Sequence, residues 1–456
     1  MSAKPWDVVV AGECMVARPF SMHDDERFRA VIELLRQSDV TYAHLETSIG
    51  EYEEMGPAKS GDWIGSYLLA EPAIADELKW AGIDILSLAS NHSVDFGAPG
   101  IEATIRHLKR AGLAAAGIGG DLERAREPAY VETRRGRIAL VSMSTGNKAY
   151  EWAGLAKGSL PPRAGVNPLR VKTTFTVDAA AAASLKDIGR RLGILRDASN
   201  RLPGMDGAEF RLTMPHDQSS RVASVFVEGK DFATVNVCEE RDLEGNRRSV
   251  SEARHMADLV LVAHHFNISE GARGDAPPSF ARVAARAAID AGADVYIGHG
   301  WHKTLGIEIY KGKPILYGVG NFFAQSEFIR RVPYDSYEAW GHDVDRLGTL
   351  TPEAHPLHPG LDGPSRNWWS SAVIKLELTE GKLTGLTLHP VEMGREVSAE
   401  APIRRRTGKG SHALTEGRPL LAGKADAERV IERYQRLSQP LGTIIENKDG
   451  IGILRL

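Results

Sequence analysis

Short apolar runs alternate with amphipathic stretches through the first 145 residues of the chain. Apolar runs predict buried strands, and apolar side chains at helical spacing predict helices. The predicted strands are residues 6–11, 40–45, 83–89 and 137–143, and the predicted helices are 27–37, 72–81 and 99–111. Strands that alternate with helices indicate βαβ units and an α/β sheet.

The middle of the chain breaks this alternation. Residues 151–250 contain Pro161–Pro162 and Asn167–Pro168, an alanine-rich helix at 179–192 and polar, strand-like stretches at 224–227 and 233–238. The α/β pattern then resumes at 257–263, 278–291 and 294–297, and later hairpins, a helix and a closing strand are predicted at 306–319, 373–388, 425–437 and 452–456. We therefore expect a core over 1–330 that is interrupted by an insertion at 151–250. We also expect a C-terminal extension over 331–456 that packs on that core.

Composition narrows the classes of protein. The 456 residues carry 56 Lys and Arg against 60 Asp and Glu, a net charge of −4, which argues against a general nucleic-acid binder. No stretch of eighteen apolar residues and no signal peptide is visible. We expect a cytoplasmic protein with a small-molecule or soluble oligomeric substrate and with no nucleic-acid or membrane partner. A homo-oligomer is left open.

Polar side chains follow five of the predicted strands. They are Glu13; His44 and Glu46; Asn91, His92 and Asp95; His264 and His265; His299 and His302. Ligands of α/β sheets bind beyond the carboxyl ends of the strands, so these side chains predict one site. With two cysteines against fifteen histidines, a metal would be held by His, carboxylate and Asn groups. Such groups suit two divalent transition-metal ions such as Mn, Fe or Zn.

Five segments in this order resemble the capsule-synthesis CapA family, of the poly-γ-glutamate synthesis type. The family is related to the calcineurin-like metallophosphoesterases. The segments are VVAGECM at 9–15, HLETS at 44–48, LASNHSVDFG at 88–97, ADLVLVAHHF at 257–266 and the stretch 291–322, which contains GHGWH and YGVGNF. The resemblance implies a metallophosphoesterase-like αββα sandwich with a dinuclear metal site.

The resemblance also implies roles for individual residues. Glu13 stands where the family has a metal-binding Asp, and Glu46 matches an acidic ligand that could bridge two metals. The further implied ligands are Asn91, His299 and His302, and His92 matches an adjacent general acid or charge stabiliser.

Several assignments stay open at this point. His265 aligns better than His264 with the remaining histidine ligand, although both are candidates, and Asp95 could orient His92. His44 stands where the family commonly has Asn, so it is a substrate contact, a further ligand or a supporting residue.

Three arginines are candidate substrate contacts. Arg18 follows the first strand, and Arg163 and Arg170 flank residues 165–169, where solvated loop charges are the alternative reading.

Three functions fit these patterns. We expect a metal-dependent hydrolase in which a metal-activated water attacks a small soluble carboxyl derivative, namely an amide, ester or lactone. This expectation follows the γ-linked glutamate amides of the family's namesake polymer and the scarcity of Lys and Arg in the matched segments. The first alternative is a phosphoesterase with the same dinuclear site. The second is a non-catalytic accessory protein of capsule or polymer assembly.

Overall fold

The computed structural model describes residues 5–56, 67–197, 209–213, 224–270, 274–325, 334, 367–394 and 417–455. Parts of the predicted C-terminal extension, residues 331–333, 335–366 and 395–416, lie outside these ranges, as does residue 456 of the predicted closing strand. Strands and helices are numbered below in chain order.

A ten-stranded mixed sheet carries the N-terminus of the described chain. Its strands are β1 (Trp6–Met15), β2 (Val40–Leu45), β5 (Ile85–Ser87), β6 (Ala114–Ala116), β20 (Asn321–Ala324), β21 (Ser370–Thr379), β22 (Lys382–Glu392), β23 (Leu420–Leu421), β24 (Glu446–Lys448) and β25 (Ile451–Arg455). The order is β24-β25-β22-β21-β1-β2-β5-β6, with β20 also on β1 and β23 on β22. Because β1, β2, β5 and β6 are parallel, their carboxyl ends lie at one edge.

A second sheet of six strands packs against the first. Its strands are β8 (Ala129–Thr133), β9 (Gly136–Thr145), β16 (Leu259–Phe266), β17 (Val295–His299), β18 (Ile307–Tyr310) and β19 (Lys313–Leu316). The four strands β9, β16, β17 and β19 run parallel. Two small pairs join β3 (Ser48–Ile49) to β4 (Leu69–Ala70) and β7 (Ile118–Gly119) to β10 (Gly165–Val166).

Helices pack on the outer faces of both sheets, against the core between the sheets and within the insertion. They are α1 (Glu26–Arg36), α2 (Ala73–Trp80), α3 (Gly97–Arg110), α4 (Leu122–Arg126), α5 (Ala179–Arg191), α6 (Glu240–Met256), α7 (Ser279–Asp290) and α8 (Lys424–Ser438), with 3-10 turns at Tyr52–Glu54 and Gln439–Leu441. One core joins α1, α2 and α3 to the first sheet, and another joins α6 and α7 to the second. The core between the sheets is apolar on both sides, so the layers form the expected αββα sandwich.

Strand alternation explains why β1 reads as an unbroken apolar run. Successive side chains of a strand point to opposite faces. Val8 and Val10 therefore enter the core between the two sheets, while Val9 and Ala11 enter the core under α1 and α2. A strand buried on both faces cannot alternate apolar with polar residues.

A third, five-stranded sheet lies within the predicted insertion. It consists of β11 (Val171–Val177), β12 (Leu195–Arg196), β13 (Glu209–Leu212), β14 (Ser224–Glu228) and β15 (Ala233–Cys238), and it has a small core of its own with α5. The helix that follows, α6, packs on the second sheet. The domain limits 1–330, 151–250 and 331–456 stay predictions.

Helix α6 has no counterpart among the sequence predictions. The buried face of this helix is formed largely by small or polar side chains, including Gly245, Asn246 and Ser249, with Val250 and Ala253. Apolar periodicity is the main sequence signal for a helix, and this face does not supply it.

A buried ion pair ties the start of the insertion to α6. Asp242 is 1% exposed and accepts hydrogen bonds from Arg170 Nε at 2.5 Å and Nη2 at 2.8 Å, and from Arg126 Nη2 at 3.1 Å. Replacing Asp242 by Asn removes the negative charge that compensates two guanidinium groups. We expect the free energy of unfolding to fall by about 3 kcal/mol, measured by urea titration.

The matched control is Asp187→Asn. Asp187 pairs with Arg190 at 3.7 Å on the exposed surface of α5, where an ion pair contributes at most about 1 kcal/mol. Equal losses in the two variants would contradict the structural role given to Asp242.

Candidate metal centre

Buried carboxylates and imidazoles meet where the two sheets face each other at the carboxyl ends of parallel strands. Glu13 lies near the end of β1, His44 lies in β2 and Glu46 follows it, His265 lies in β16, and His299 ends β17. Parallel strands bring their carboxyl ends to one edge, which places these side chains together. All five are at most 2% exposed.

Two groups of side chains have the spacing of a metal site, and both contain Glu13. One group is Glu13, His44 and His265, and the other is Glu13, Glu46 and His302. Within each group the candidate ligand atoms all lie within 4.8 Å of one another. Glu13 is thus the side chain common to both groups. The sequence had suggested Glu46 as the side chain shared between two metals.

The carboxylates of this cluster are buried, and three of their four oxygens lack a hydrogen-bond donor. Oε2 of Glu13 and both carboxylate oxygens of Glu46 are buried and accept no hydrogen bond. Burial raises the pKa of Glu13 to about 8 and holds the pKa of Glu46 well above its usual range, with the Glu13 charge as a further cause. Buried carboxylates need a compensating cation, so this donor set fits a divalent metal.

The imidazoles of the cluster are suited to the same cation. Burial holds the pKa values of His44, His265 and His299 well below their usual range, and the neighbouring histidines add to this effect. A neutral imidazole is the form of histidine that ligates metals. Metal ligands must be deprotonated, so binding at this site is expected to release protons from the carboxyls.

A hydrogen-bonded chain links the histidines. Tyr42 Oη lies 2.7 Å from His299 Nε2 and 2.5 Å from Ser87 Oγ, which lies 2.7 Å from His44 Nδ1. His44 Nε2 lies 3.0 Å from His265 Nδ1. Sequence analysis assigned no role to Tyr42 or Ser87, because a tyrosine and a serine inside apolar strands carry no recognisable signal.

His302 is held by an unusual backbone and by two neighbours. Its φ is +54°, and its amide N–H donates to Glu13 Oε1 at 3.3 Å. Its Nδ1 lies 3.0 Å from Asn321 Oδ1, and its ring lies 4.4 Å from that of Trp368. Asn321 also donates to the Trp368 carbonyl at 3.0 Å. Asn321 was missed as a site residue, although it lies in the YGVGNF segment that carried the resemblance.

The loop after β5 brings two further candidates to the cluster. Asn91 Oδ1 lies 2.7 Å from His265 Nε2. His92 Nδ1 lies 2.8 Å from Asp95 Oδ2, and that oxygen also accepts the Leu68 N–H at 2.9 Å. The contact between Asp95 and His92 is the orienting arrangement expected from the sequence.

His264 lies outside the cluster. Its Nε2 is 2.8 Å from Thr145 Oγ1 and its Nδ1 is 2.5 Å from Tyr296 Oη, and its ring packs near Phe280 of α7. Because side chains alternate along β16, His264 shares the helix-facing side with Val262, and His265 points between the sheets. Of the two candidates, the structure brings only His265 to the ligand groups.

The three arginines have other partners. Arg170 is bound to Asp242 as described above, and its guanidinium lies 5.0 Å from the centroid of the Trp152 ring. Its role as a substrate contact stays a prediction. Arg163 is exposed and donates to the Trp152 carbonyl at 2.8 Å. The backbone N–H of Arg18 donates to Gln325 Oε1 at 3.2 Å.

His44, for which the sequence left a substrate contact, a further ligand and a supporting role open, lies in one of the two candidate ligand groups. It is 1% exposed, and its two ring nitrogens lie against Ser87 and His265.

Among the described residues, no helix combines the length and the apolar character needed to cross a bilayer.

Several known proteins have sequences similar to this chain. A protein of Sinorhizobium fredii, uncharacterized protein y4sH, is 32% identical over 98% of this chain and 93% of its own length. The capsule biosynthesis protein CapA of Bacillus anthracis is 26% identical over 65% of this chain and 53% of its own. A probable polyglutamine synthesis accessory protein of Mycobacterium tuberculosis is 27% identical over 62% of this chain and 55% of its own.

A family model supports the same grouping over most of the chain. The model described as bacterial capsule synthesis protein PGA_cap matches residues 7–326, a range that contains both ligand groups. The resemblance noted from the sequence segments is thereby confirmed. The chain belongs to the bacterial capsule synthesis protein PGA_cap family.

Proposed function

We propose that this protein is a metal-dependent hydrolase that binds two divalent transition-metal ions of the Mn, Fe or Zn type. The observation that carries the proposal is the pair of ligand groups that share Glu13, together with three buried carboxylate oxygens of Glu13 and Glu46 that accept no hydrogen bond. Without a bound cation these carboxyls ionise only at a high cost in the protein interior, in line with their raised pKa values.

The cluster residues divide into those that hold ions and those that handle protons. Glu13, His44 and His265 would hold one ion, and Glu13, Glu46 and His302 would hold the other. Bound divalent ions supply Lewis-acid polarisation and lower the pKa of water. Asn91, against His265, adds an amide oxygen beside the first group.

His92 is the proposed general acid. Asp95 accepts a hydrogen bond from Nδ1–H of His92, which fixes the imidazole and leaves Nε2 as the atom that exchanges a proton. His92 belongs to neither ligand group, so its nitrogen is not used in holding an ion. Its side chain is 9% exposed, which gives the leaving group of a substrate limited access.

A carboxyl derivative is the proposed substrate class. The contacts described around the cluster come from neutral or acidic side chains, namely Ser87, Tyr42, Asn91, Asn321 and Asp95. A phosphoester dianion is usually held by Arg or Lys groups, whereas an amide, ester or lactone carbonyl needs none. The relatives named for capsule biosynthesis and polyglutamine synthesis point the same way, because polyglutamine is joined by amide bonds.

We propose that the protein acts in the cytoplasm and that its substrate is a small molecule or a soluble oligomer. Cys14 and Cys238 are both free, which suits a reducing compartment.

The mycobacterial relative is named as an accessory protein, which favours a second candidate, a non-catalytic accessory role. An activity panel separates the candidates: purified protein is loaded with Mn, Fe or Zn and assayed on amides, esters, lactones, phosphomonoesters and phosphodiesters. Turnover of a carboxyl derivative supports the proposal, and turnover of phosphoesters alone identifies the phosphoesterase alternative. Metal binding without turnover of any class would favour the accessory role.

Neighbouring histidines of β16 give a matched test of the metal site. His265→Asn removes an imidazole from the ligand group, so we expect metal content measured by mass spectrometry to fall by about one equivalent per chain. His264→Asn removes contacts to Thr145 and Tyr296, so we expect it to lower stability by about 1–3 kcal/mol while metal content stays unchanged. Equal metal loss in both variants would contradict the assignment.

His92→Ala tests the general acid. We expect kcat to fall on the order of 100- to 10,000-fold, because proton transfer to the leaving group is lost, while metal content is retained. Asp95→Asn should give a smaller fall in kcat, since the imidazole remains but its orientation is less fixed. Full activity of His92→Ala on a verified substrate would show that another group donates the proton.

A further inference from the structure

The ligand groups are most accessible at His302. Its side chain is 19% exposed, whereas the side chains of Glu13, Glu46 and His265 are at most 1% exposed. His44, the remaining member, is also 1% exposed. A substrate therefore reaches the cluster on the side of His302, and the residues next to this imidazole are the ones that meet it first.

Trp368 forms an aromatic wall beside His302. The centroids of the two rings are 4.4 Å apart, and the ring planes are inclined by 44°. The Trp368 carbonyl accepts a hydrogen bond from Asn321 Nδ2 at 3.0 Å, and Asn321 Oδ1 lies 3.0 Å from His302 Nδ1. Trp368 is half-buried, so this residue lies at the entrance to the cluster and not in the interior.

A buried arginine fixes the backbone around Trp368. Arg433 of α8 is 8% exposed, and its guanidinium donates to Asn367 Oδ1 and, at 2.8 Å, to the carbonyl of Ser370. The segment is thus held on both sides of the indole. A wall that is already ordered loses little conformational entropy when a ligand packs on it.

This wall belongs to a part of the chain that the family resemblance does not describe. The family model matches residues 7–326, and both Trp368 and Arg433 follow that range. Whatever Trp368 contributes is therefore additional to the ligand groups, all of whose members lie within the match.

We propose that Trp368 is a substrate contact that makes the site select carboxyl derivatives with an aromatic or other planar, apolar group next to the scissile bond. The face of an indole packs favourably against such groups, in offset-stacked or edge-to-face arrangements. Binding pockets commonly combine apolar or aromatic walls with a few polar groups that act on the reacting atoms. This inference rests on the proposed function and names which carboxyl derivatives its site prefers.

The test compares two ligands that differ in one group. Benzohydroxamate and acetohydroxamate both present a metal-binding hydroxamate, which resembles an amide, but one carries a phenyl ring and the other a methyl group. Their Kd values are measured by isothermal titration calorimetry on full-length protein loaded with Zn²⁺. We expect benzohydroxamate to bind about five- to tenfold more tightly. Equal affinities in the unaltered protein would overturn the inference without any variant.

Variants assign the preference to the indole. Trp368→Ala should bring the two Kd values to within about twofold of each other, whereas Trp368→Phe should keep most of the preference because an aromatic face remains. A residue that only shields His302 would affect both ligands alike and leave their ratio unchanged. An unchanged ratio in Trp368→Ala would therefore overturn the assignment.

The adjacent tryptophan provides the matched control. Trp369 is 5% exposed and packs in the core under α1 and α2. Trp369→Leu should lower the free energy of unfolding, measured by urea titration, and leave the ratio of the two Kd values as it is. Loss of the preference in Trp369→Leu as well would show a general packing effect and contradict the role of Trp368.

The same titrations separate this inference from the proposed function. If the Zn²⁺-loaded protein binds neither hydroxamate, the proposed carboxyl-derivative site is wrong and the inference fails with it. If both ligands bind with the same affinity, the proposed function stands and the selectivity assigned to Trp368 is wrong.

Discussion

The burial of two carboxylates beside each other is the constraint on which the site depends. Glu13 and Glu46 are each 1% exposed, and three of their four oxygens accept no hydrogen bond. Their backbones are fixed by the first sheet, because Glu13 N–H donates to the Gly320 carbonyl at 2.9 Å and Glu46 N–H to the Cys14 carbonyl at 3.2 Å. A side chain at residue 12 would collide with that same Gly320 carbonyl, so glycine is required there. The backbone therefore cannot turn the carboxylates toward water, and a bound cation is the natural compensation.

The sequence revealed much of the fold and the cluster because both depend on short local patterns. Strands such as β1 and β16 are continuous apolar runs, and the polar residues at their ends break those runs at Glu13 and His265. Helix α6 could not be predicted in the same way, since its buried face is largely small and polar and lacks an apolar stripe at helical spacing. The roles of Ser87 and Tyr42 could not be predicted either, because they come from hydrogen-bond partners on other strands.

The choice between His264 and His265 and the partner of Arg170 could not be predicted from the sequence, for different physical reasons. His264 and His265 are adjacent, and a shift of one residue along a strand reverses the face, so only the register of β16 against β17 separates them. Arg170 looked free because its partner, Asp242, lies 72 residues away. Long-range ion pairs have no local signature, whereas ligands at strand ends do.

The contacts of Arg170 link the insertion to the loop after β5. Asp242 holds Arg170, whose guanidinium stacks on Trp152, and Trp152 Nε1 donates to the Asn147 carbonyl at 3.1 Å. Asn147 Nδ2 then donates to the Ser90 carbonyl at 2.9 Å.

Ser90 immediately precedes Asn91 and His92, and its hydroxyl accepts the His92 N–H at 3.1 Å. The part of the insertion around Arg170 and Asp242 is thus connected, through contacts between side chains and backbone, to the loop that carries His92, the proposed general acid. Asp242, a buried charge outside the two ligand groups, is therefore connected through a continuous series of contacts to the backbone position of His92.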